Sequence, residues 1–517
     1  NFAALKNFSV AHNQLQVGLP SDDCATLLAN LRSLDMSQNQ LRSIPSIPMS
    51  LATVNFANNQ LTRWPFNIAS LTGLAHVDVS GNKLQEVPVF SSLDQMRVFD
   101  ASSNLLTALP SSFSSATSLE VMRLAHNRLR AIPDLQKLSR LSLLSVAYNN
   151  LTVCPFSSTA AELRVLDCSG NHISEMPNTA LVHPSLVEFN MAANRLTVFD
   201  PFISNSLQAL DLSNNSIAQM PTEIVGGASL VSLKLSHNKL VDLSHNLGVL
   251  KQLQSFDASF NKIVAADISI GNLSSLVSLN LRNNLLAFFI NTFDLSQLRV
   301  LDLSNNNIQR LPAESGNQLS SLVSLTLSSN ALTILPSFLS QLERLESLNI
   351  ASNMLTELPL QNLPRFLKVL DVSRNPLEIR DETNTTVDLP WLVSCDLSET
   401  QITELPQFLQ QLPSLRYLNV SHNPLVNGVL PAWFRRLPSG LYSLALADIG
   451  LVGLSVPNLP AITNLWFLDL SRNQLRTLYP DVSRLSNLRR LNLANNLFSD
   501  LPESLAQLPY LKYFSII

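Results

Sequence analysis

The fold class that this sequence predicts is α/β: a solenoid bent into a horseshoe, with a parallel β-sheet on its concave face and short helices and 3-10 turns on its convex face. Three observations predict it. The stretch from Leu298 to Ile308 reads L-R-V-L-D-L-S-N-N-N-I, and the pattern L-x-x-L-x-L-x-x-N-x-L, with other apolar residues allowed for Leu, recurs along the 517 residues. Successive copies lie mostly 22 or 23 residues apart, and repetition at such a period signals a stacked array rather than one globular core. An apolar residue followed by proline comes after most copies, as in Ile44-Pro45, Leu109-Pro110, Leu335-Pro336 and Leu405-Pro406.

Each element has a physical reason. In the copy quoted above, Leu301 and Leu303 alternate with Val300, Asp302 and Ser304, the period-two pattern of a short strand with one buried face. One such strand cannot bury its apolar side, whereas stacked copies build a continuous parallel sheet over a shared core. Strands about 4.8 Å apart on one side, with bulkier connections on the other, make the stack curve. The aligned asparagines include Asn39, Asn82, Asn127, Asn171, Asn215, Asn238, Asn306, Asn353, Asn423 and Asn473. They suit the turn leaving the strand, because an amide both donates and accepts and can satisfy buried backbone groups of neighbouring coils. Proline suits the first position of a helical turn, where its missing donor is not needed. After Pro336 the spacing directs Phe338, Leu339, Leu342 and Leu345 inward.

The array reads as one continuous domain over residues 1–517, about 22 full repeats plus a partial one beginning at Leu511, Phe514 and Ile516. Residues 376–450 are irregular: they carry two longer connections, and Thr400 and then Ile449 stand where other copies have Asn. Thr supplies part of the Asn hydrogen bonding and Ile none, so a bend or protruding loops are expected there. The chain starts and stops inside repeats, which reads as truncation at both ends.

The template and its period resemble the leucine-rich repeat. The apolar-proline continuation L-P-x-x-L-x-x-L resembles the intracellular branch of that family: Ras-pathway scaffolds, fungal adenylyl cyclases and metal-dependent phosphatases that carry such repeats. What the resemblance implies is protein recognition by the concave face, in a scaffold or regulatory region of an intracellular signalling protein, with a small GTPase or a phosphatase as partner. The plant receptor type, with its L-x-G-x-I-P signature, would need more than the 13 glycines present; the segment Asn427-Gly428-Val429-Leu430-Pro431 is the one echo of it. A ligand-binding receptor ectodomain is therefore the alternative, and the regulatory arm of an enzyme whose catalytic domain lies elsewhere is a third reading.

Composition narrows the partners. Net charge is −4, charged residues are 14% of the chain and no basic run occurs, so nucleic acid is not implied. No apolar run reaches the roughly 18 residues of a membrane span. Cys154, Cys168 and Cys395 fall at apolar positions and read as buried free thiols, with Cys24 in a longer connection; no disulfide cap is visible, which points to a reducing, cytoplasmic compartment. Against this stand six glycosylation sequons, at Asn7, Asn150, Asn214, Asn272, Asn384 and Asn419, three of which (Asn7, Asn214 and Asn419) would place glycans on the strand face.

Little in the chain points to chemistry. Asp recurs at the middle exposed strand position, with Asp78 beside Asp100 and Asp371 beside Asp396, which reads as an acidic inner face. His12, His126, His237 and His422 share a later strand position in widely separated repeats and cannot form one metal site. No phosphate loop, nucleophile elbow or Cys/His cluster is present, so neither catalysis nor a cofactor is expected. Two candidates for binding remain. Near the C-terminal end, Arg416, Tyr417, Tyr442, Trp466, Phe467, Arg489, Arg490 and Tyr513 fall on adjacent strands, and Trp, Tyr and Arg are enriched in binding hot spots. The second is an apolar stripe of Val98, Val121, Leu143 and Val165, with Arg123 and Tyr148 close by.

Overall fold

The computed structural model describes residues 4–17, 28–44, 46–155, 161–176, 184–199, 204–220, 228–243, 245–266, 268–289, 295–312, 318–378, 387–426, 428–453, 462–478, 480–501 and 503–516. They fall in two compact units, Asn1–Asn261 and Lys262–Ile517. In each, three-residue strands stack as a parallel sheet. The first unit carries the strands from Asn7–Ser9 to Ser255–Asp257 and the second those from Ser278–Asn280 to Tyr513–Ser515. Strands pair in phase: Val98 lies beside Val121, then Leu143, then Val165 in the first unit, and Val300 beside Ser324, Ser347 and Val369 in the second. The middle residue of most strands is buried and its neighbours half-exposed, as the period-two pattern requires.

Among the described residues every helical segment is a 3-10 turn, so of the two connection types expected only the tighter one forms. The reason is width. Strands repeat about every 4.8 Å, whereas an α-helix with its side chains is about 10–12 Å across, so helices on every coil would splay the stack. Pro480 stands first within its turn, Pro480–Arg484, but elsewhere proline stands one residue outside. Pro110, Pro336, Pro406 and Pro431 precede the turns Ser111–Ser115, Ser337–Gln341, Gln407–Gln411 and Ala432–Arg436 with extended ψ between 127° and 153°. Phe338, Leu339, Leu342 and Leu345 are all buried.

The asparagine column works as the sequence implies, with one bond more than a single coil needs. Asn306 Nδ2 donates to Leu303 O (2.9 Å) and Ser304 O (3.2 Å) of its own turn and to Leu281 O (3.0 Å) of the preceding coil. Its Oδ1 accepts from Leu286 N at 3.0 Å. Asn82, Asn127, Asn171, Asn238, Asn353 and Asn473 repeat this set of partners. The residue just before each such Asn adopts the left-handed conformation, for instance Tyr148 (φ 52°), Asn305 (φ 53°) and Gly170 (φ 63°).

The two copies that lack Asn solve the problem differently. Each has a second left-handed residue, Gln401 (φ 62°) and Gly450 (φ 75°). Thr400 Oγ1 donates to Leu397 O at 2.7 Å. In the next coil Asn423 Oδ1 accepts from both Thr400 N and Ile402 N, and Asn473 Oδ1 accepts from both Ile449 N and Leu451 N. Ile449 contributes no polar atom, yet its amide is satisfied from the following repeat.

Candidate recognition surface

In the second unit Tyr417, Ser443, Phe467, Arg490 and Tyr513 occupy one strand column, in the order the sequence implies. Arg416, Tyr442, Trp466 and Arg489 form a second column, each one residue ahead of its strand and linked by bonds from Tyr442 N to Arg416 O, Trp466 N to Tyr442 O and Arg489 N to Trp466 O. The rings cross between these columns. Tyr417 meets Tyr442 edge-on at 5.8 Å, and Tyr442 stacks on Trp466 at 5.5 Å with an interplanar angle of 11°. The Arg490 guanidinium lies 5.0 Å from the Trp466 ring and 4.7 Å from the Tyr513 ring. Tyr417, Tyr442, Trp466, Arg490 and Tyr513 thus make one continuous ladder.

A groove of about 840 Å³ runs beside it, lined by Arg416, Tyr417, Gly440, Tyr442, Asn464, Trp466, Asn487, Arg489 and Tyr510. Phe467 is half-buried in its column and does not line this groove. Four lining residues were missed by the sequence reading. Gly440, Asn464, Asn487 and Tyr510 each precede the first Leu of their template copy, so the repeat alignment held the signal. Asn464 and Asn487 are fixed by bonds of 3.0 Å from Nδ2 to Ser439 O and Thr463 O. The surface offers guanidinium donors, amides and ring edges.

The four stripe residues of the first unit share one strand column. Val98, Val121, Leu143 and Val165 are each half-buried, and His76 and Glu188 bound them in the same column. Arg123 reaches back to Asp100 at 4.0 Å. Tyr148 does not join the stripe: its left-handed backbone places it in the turn, where its ring lies flat on His126 at 4.5 Å. The four histidines are likewise turn residues with φ between 54° and 59°, not strand residues. Asn214 too belongs to the turn, whereas Asn7 and Asn419 are in strands. Cys24 and Asn384 lie outside the described residues.

Much of the acidity on the strand face is engaged locally. Asp35, Asp78, Asp167, Asp211, Asp302, Asp371 and Asp396 each accept, through Oδ1, both the amide and the hydroxyl of a serine two residues on. This D-x-S unit braces the turn. Asp78 and Asp100 are register neighbours, as are Asp371 and Asp396. Burial, with Asp78 beside it, raises the Asp100 carboxyl above its ordinary value despite bonds from Ser102. Cys154, Cys168 and Cys395 are free and buried. Cys154 and Cys168, separate in the sequence reading, touch at 3.3 Å between sulfurs, and burial pushes the Cys168 thiol well up. Burial and the adjacent Asp396 and Asp371 do the same to Cys395.

Comparison with known proteins agrees with this geometry. Family profiles for the leucine rich repeat match residues 296–355, and also 30–51, 414–437 and 487–508. Tsukushi of Gallus gallus is 34% identical over 230 residues, which is 42% of this chain and 59% of that protein, so the chain spans less than two thirds of that relative's length. Among solved structures, YopM from Yersinia enterocolitica aligns over 98% of this chain and 91% of its own, with 25% identity and a TM-score of 0.63. The Arabidopsis receptor kinase HAESA, solved with the peptide hormone IDA and the co-receptor SERK1, aligns over 99% and 86%, with 25% identity and a TM-score of 0.64. No helix among the described residues is long and apolar enough to cross a membrane. Strand register, asparagine column and profile matches converge: the chain is a leucine-rich-repeat protein.

Proposed function

We propose that this protein binds another protein through the strand-side surface of residues 416–513, as the scaffold or regulatory region of a signalling protein. The observation that carries the reading is the aromatic–arginine ladder. The repeat needs no large side chains in the column that holds Tyr417: Ser232, Ser255, Ser278, Ser324 and Ser347 occupy the same position elsewhere. Rings left 37% exposed at Tyr442, 44% at Tyr417 and 59% at Tyr513 gain nothing from solvent and much from a partner. The apolar-proline repeat supports an intracellular setting with a small GTPase or phosphatase as the bound class.

One observation favours the receptor ectodomain as a second reading. Gly428, in the receptor-like segment, is left-handed (φ +57°), and a Cβ there would come within 3.0 Å of Gly450 O, so this glycine is required. The likeness to HAESA points the same way. Glycan analysis of protein from its native source separates the two settings. Exposed Asn150 and Asn214 are the sequons to inspect, because Asn419 donates its amide to Asp396 Oδ2 at 3.0 Å.

The binding site itself is tested by Trp466→Ala combined with Arg490→Ala. Affinity for partners recovered with the unmutated chain should fall by at least about 2 kcal/mol in calorimetry, with the circular dichroism melt unchanged. A folded double variant that binds every partner normally would remove this surface, and the stripe from Val98 to Val165 would take its place.

A further inference from the structure

Resting on the recognition reading above, we infer that the groove beside the ladder takes an extended acidic segment of the partner, with carboxylates about four to five residues apart. The charge argument comes first. Among the described residues no carboxylate lines the groove, yet two exposed guanidiniums do, Arg416 and Arg489, and a third, Arg490, is clamped between the Trp466 and Tyr513 rings. Elsewhere the repeats pair such cations with acids of the adjacent coil. In the very column that holds Arg416 and Arg489, Arg97 meets Glu120 at 3.7 Å and Lys368 meets Glu346 at 2.8 Å. The column neighbours of Arg416 are Val393 and Tyr442, and those of Arg489 are Trp466 and Lys512. Among the described residues neither arginine has an acidic partner. Guanidiniums are strong, directional carboxylate donors.

Geometry then fixes the shape of the occupant. Arg416 and Arg489 are three coils apart, so about 15 Å separates them at the usual strand spacing of about 4.8 Å. An extended chain advances about 3.3 Å per residue and covers that distance in four to five residues. Its cross-section, about 4.8 Å by 10 Å, gives a volume near 700 Å³ over that length. The groove, of about 840 Å³, has room for such a strand. The rings also argue against stacked bases as ligand: Trp466 already has Tyr442 and Arg490 on its ring, leaving its edge for the groove.

The full chain is titrated, by fluorescence anisotropy, into a fluorescein-labelled seven-residue peptide with glutamate at its second and sixth positions, one central tyrosine and alanine elsewhere. Controls are the same peptide with lysines for glutamates, one with the two glutamates adjacent, and a ten-nucleotide oligothymidine. The spaced glutamate peptide should bind at least about tenfold more tightly than either peptide control and weaken as salt rises. Arg416→Ala and Arg489→Ala should each weaken it at least about tenfold, the lysine replacements should restore part of the loss, and Arg299→Ala, in the same column of a distant coil, should change nothing. Equal binding of the lysine peptide, indifference to both arginine variants, or tighter binding of the oligonucleotide would each overturn the inference. If no peptide binds while Trp466→Ala with Arg490→Ala still abolishes capture of natural partners, the acidic ligand falls and the recognition surface stands.

Discussion

Replacing Asn306 by Ala is the sharpest test of how these coils are held together. The side chain makes four bonds, but their loss is unequal. Leu281 O keeps a second donor in Asn284, Leu303 O keeps Asn330, and Ser304 O keeps the amide of Asn283. Only the Leu286 amide, which donates to Asn306 Oδ1, is orphaned, and it sits in a fully buried residue. One buried unpaired N–H costs about 1–3 kcal/mol, and weakening three carbonyls that keep a partner adds a net contribution of up to about 1 kcal/mol. The expected loss is therefore about 1–4 kcal/mol, confined to neighbouring coils because a solenoid couples only adjacent repeats. Urea unfolding of the whole chain gives the magnitude. Amide hydrogen exchange gives the location: faster exchange at Leu286 and the coil around it, with the first unit unaffected. Asn306→Asp sharpens the logic, since the acceptor for Leu286 survives while an oxygen replaces the amide that faces three carbonyls. That variant should be at least as unstable near neutral pH and recover in acid, where its proton restores a donor. An unchanged urea midpoint together with unchanged protection at Leu286 would refute the reasoning.

Two further perturbations follow from the same structure. The Asp100 carboxyl is raised in the folded chain, so folding binds its proton; that contribution is complete below the ordinary carboxylate range and is lost as pH rises through the raised value. Asp100→Asn keeps an acceptor for Ser102, as Asn55 does for Ala57 at 3.1 Å, so it should stabilise by a few tenths to about 1 kcal/mol near pH 7 and by nothing near pH 3. A loss at pH 7 would mean that the Arg123 attraction outweighs burial and Asp78. For the cysteines, unfolded protein prepared without reductant should show free thiols throughout. Glutathione disulfide added to the folded chain should remove Cys154 and Cys168 together and slowly, since a raised thiol leaves little thiolate, while Cys395 persists. Alkylation with peptide mapping that finds Cys395 lost first would contradict the observed contact.

The fold was legible because every coil states it again. Alternation around Leu301 or Leu348 is weak evidence alone, but repeated at a fixed period it leaves one way to bury the apolar side. Where the sequence misled, the cause was local. Each strand is only three residues long, so the outward positions end sooner than the template suggests, and the next outward residues lie in a left-handed turn. That is why Tyr148 and the four histidines sit on the turn and Tyr148 stacks on His126 instead of extending the valine stripe. The D-x-S brace went unread because it needs no neighbour and leaves the apolar pattern untouched, yet it decides how much of the aspartate column can face a partner. At the candidate surface, register predicted which residues share a column, but not that Trp466 would reach across to Arg490 in the next. That choice depends on side-chain rotamers and on small neighbours such as Gly440, whose added Cβ would meet nothing within 4 Å. The template explains what one coil needs from the next; it gives no use to an arginine held between two rings beside a groove that already presents two guanidiniums, and that surplus is what the proposed recognition role accounts for.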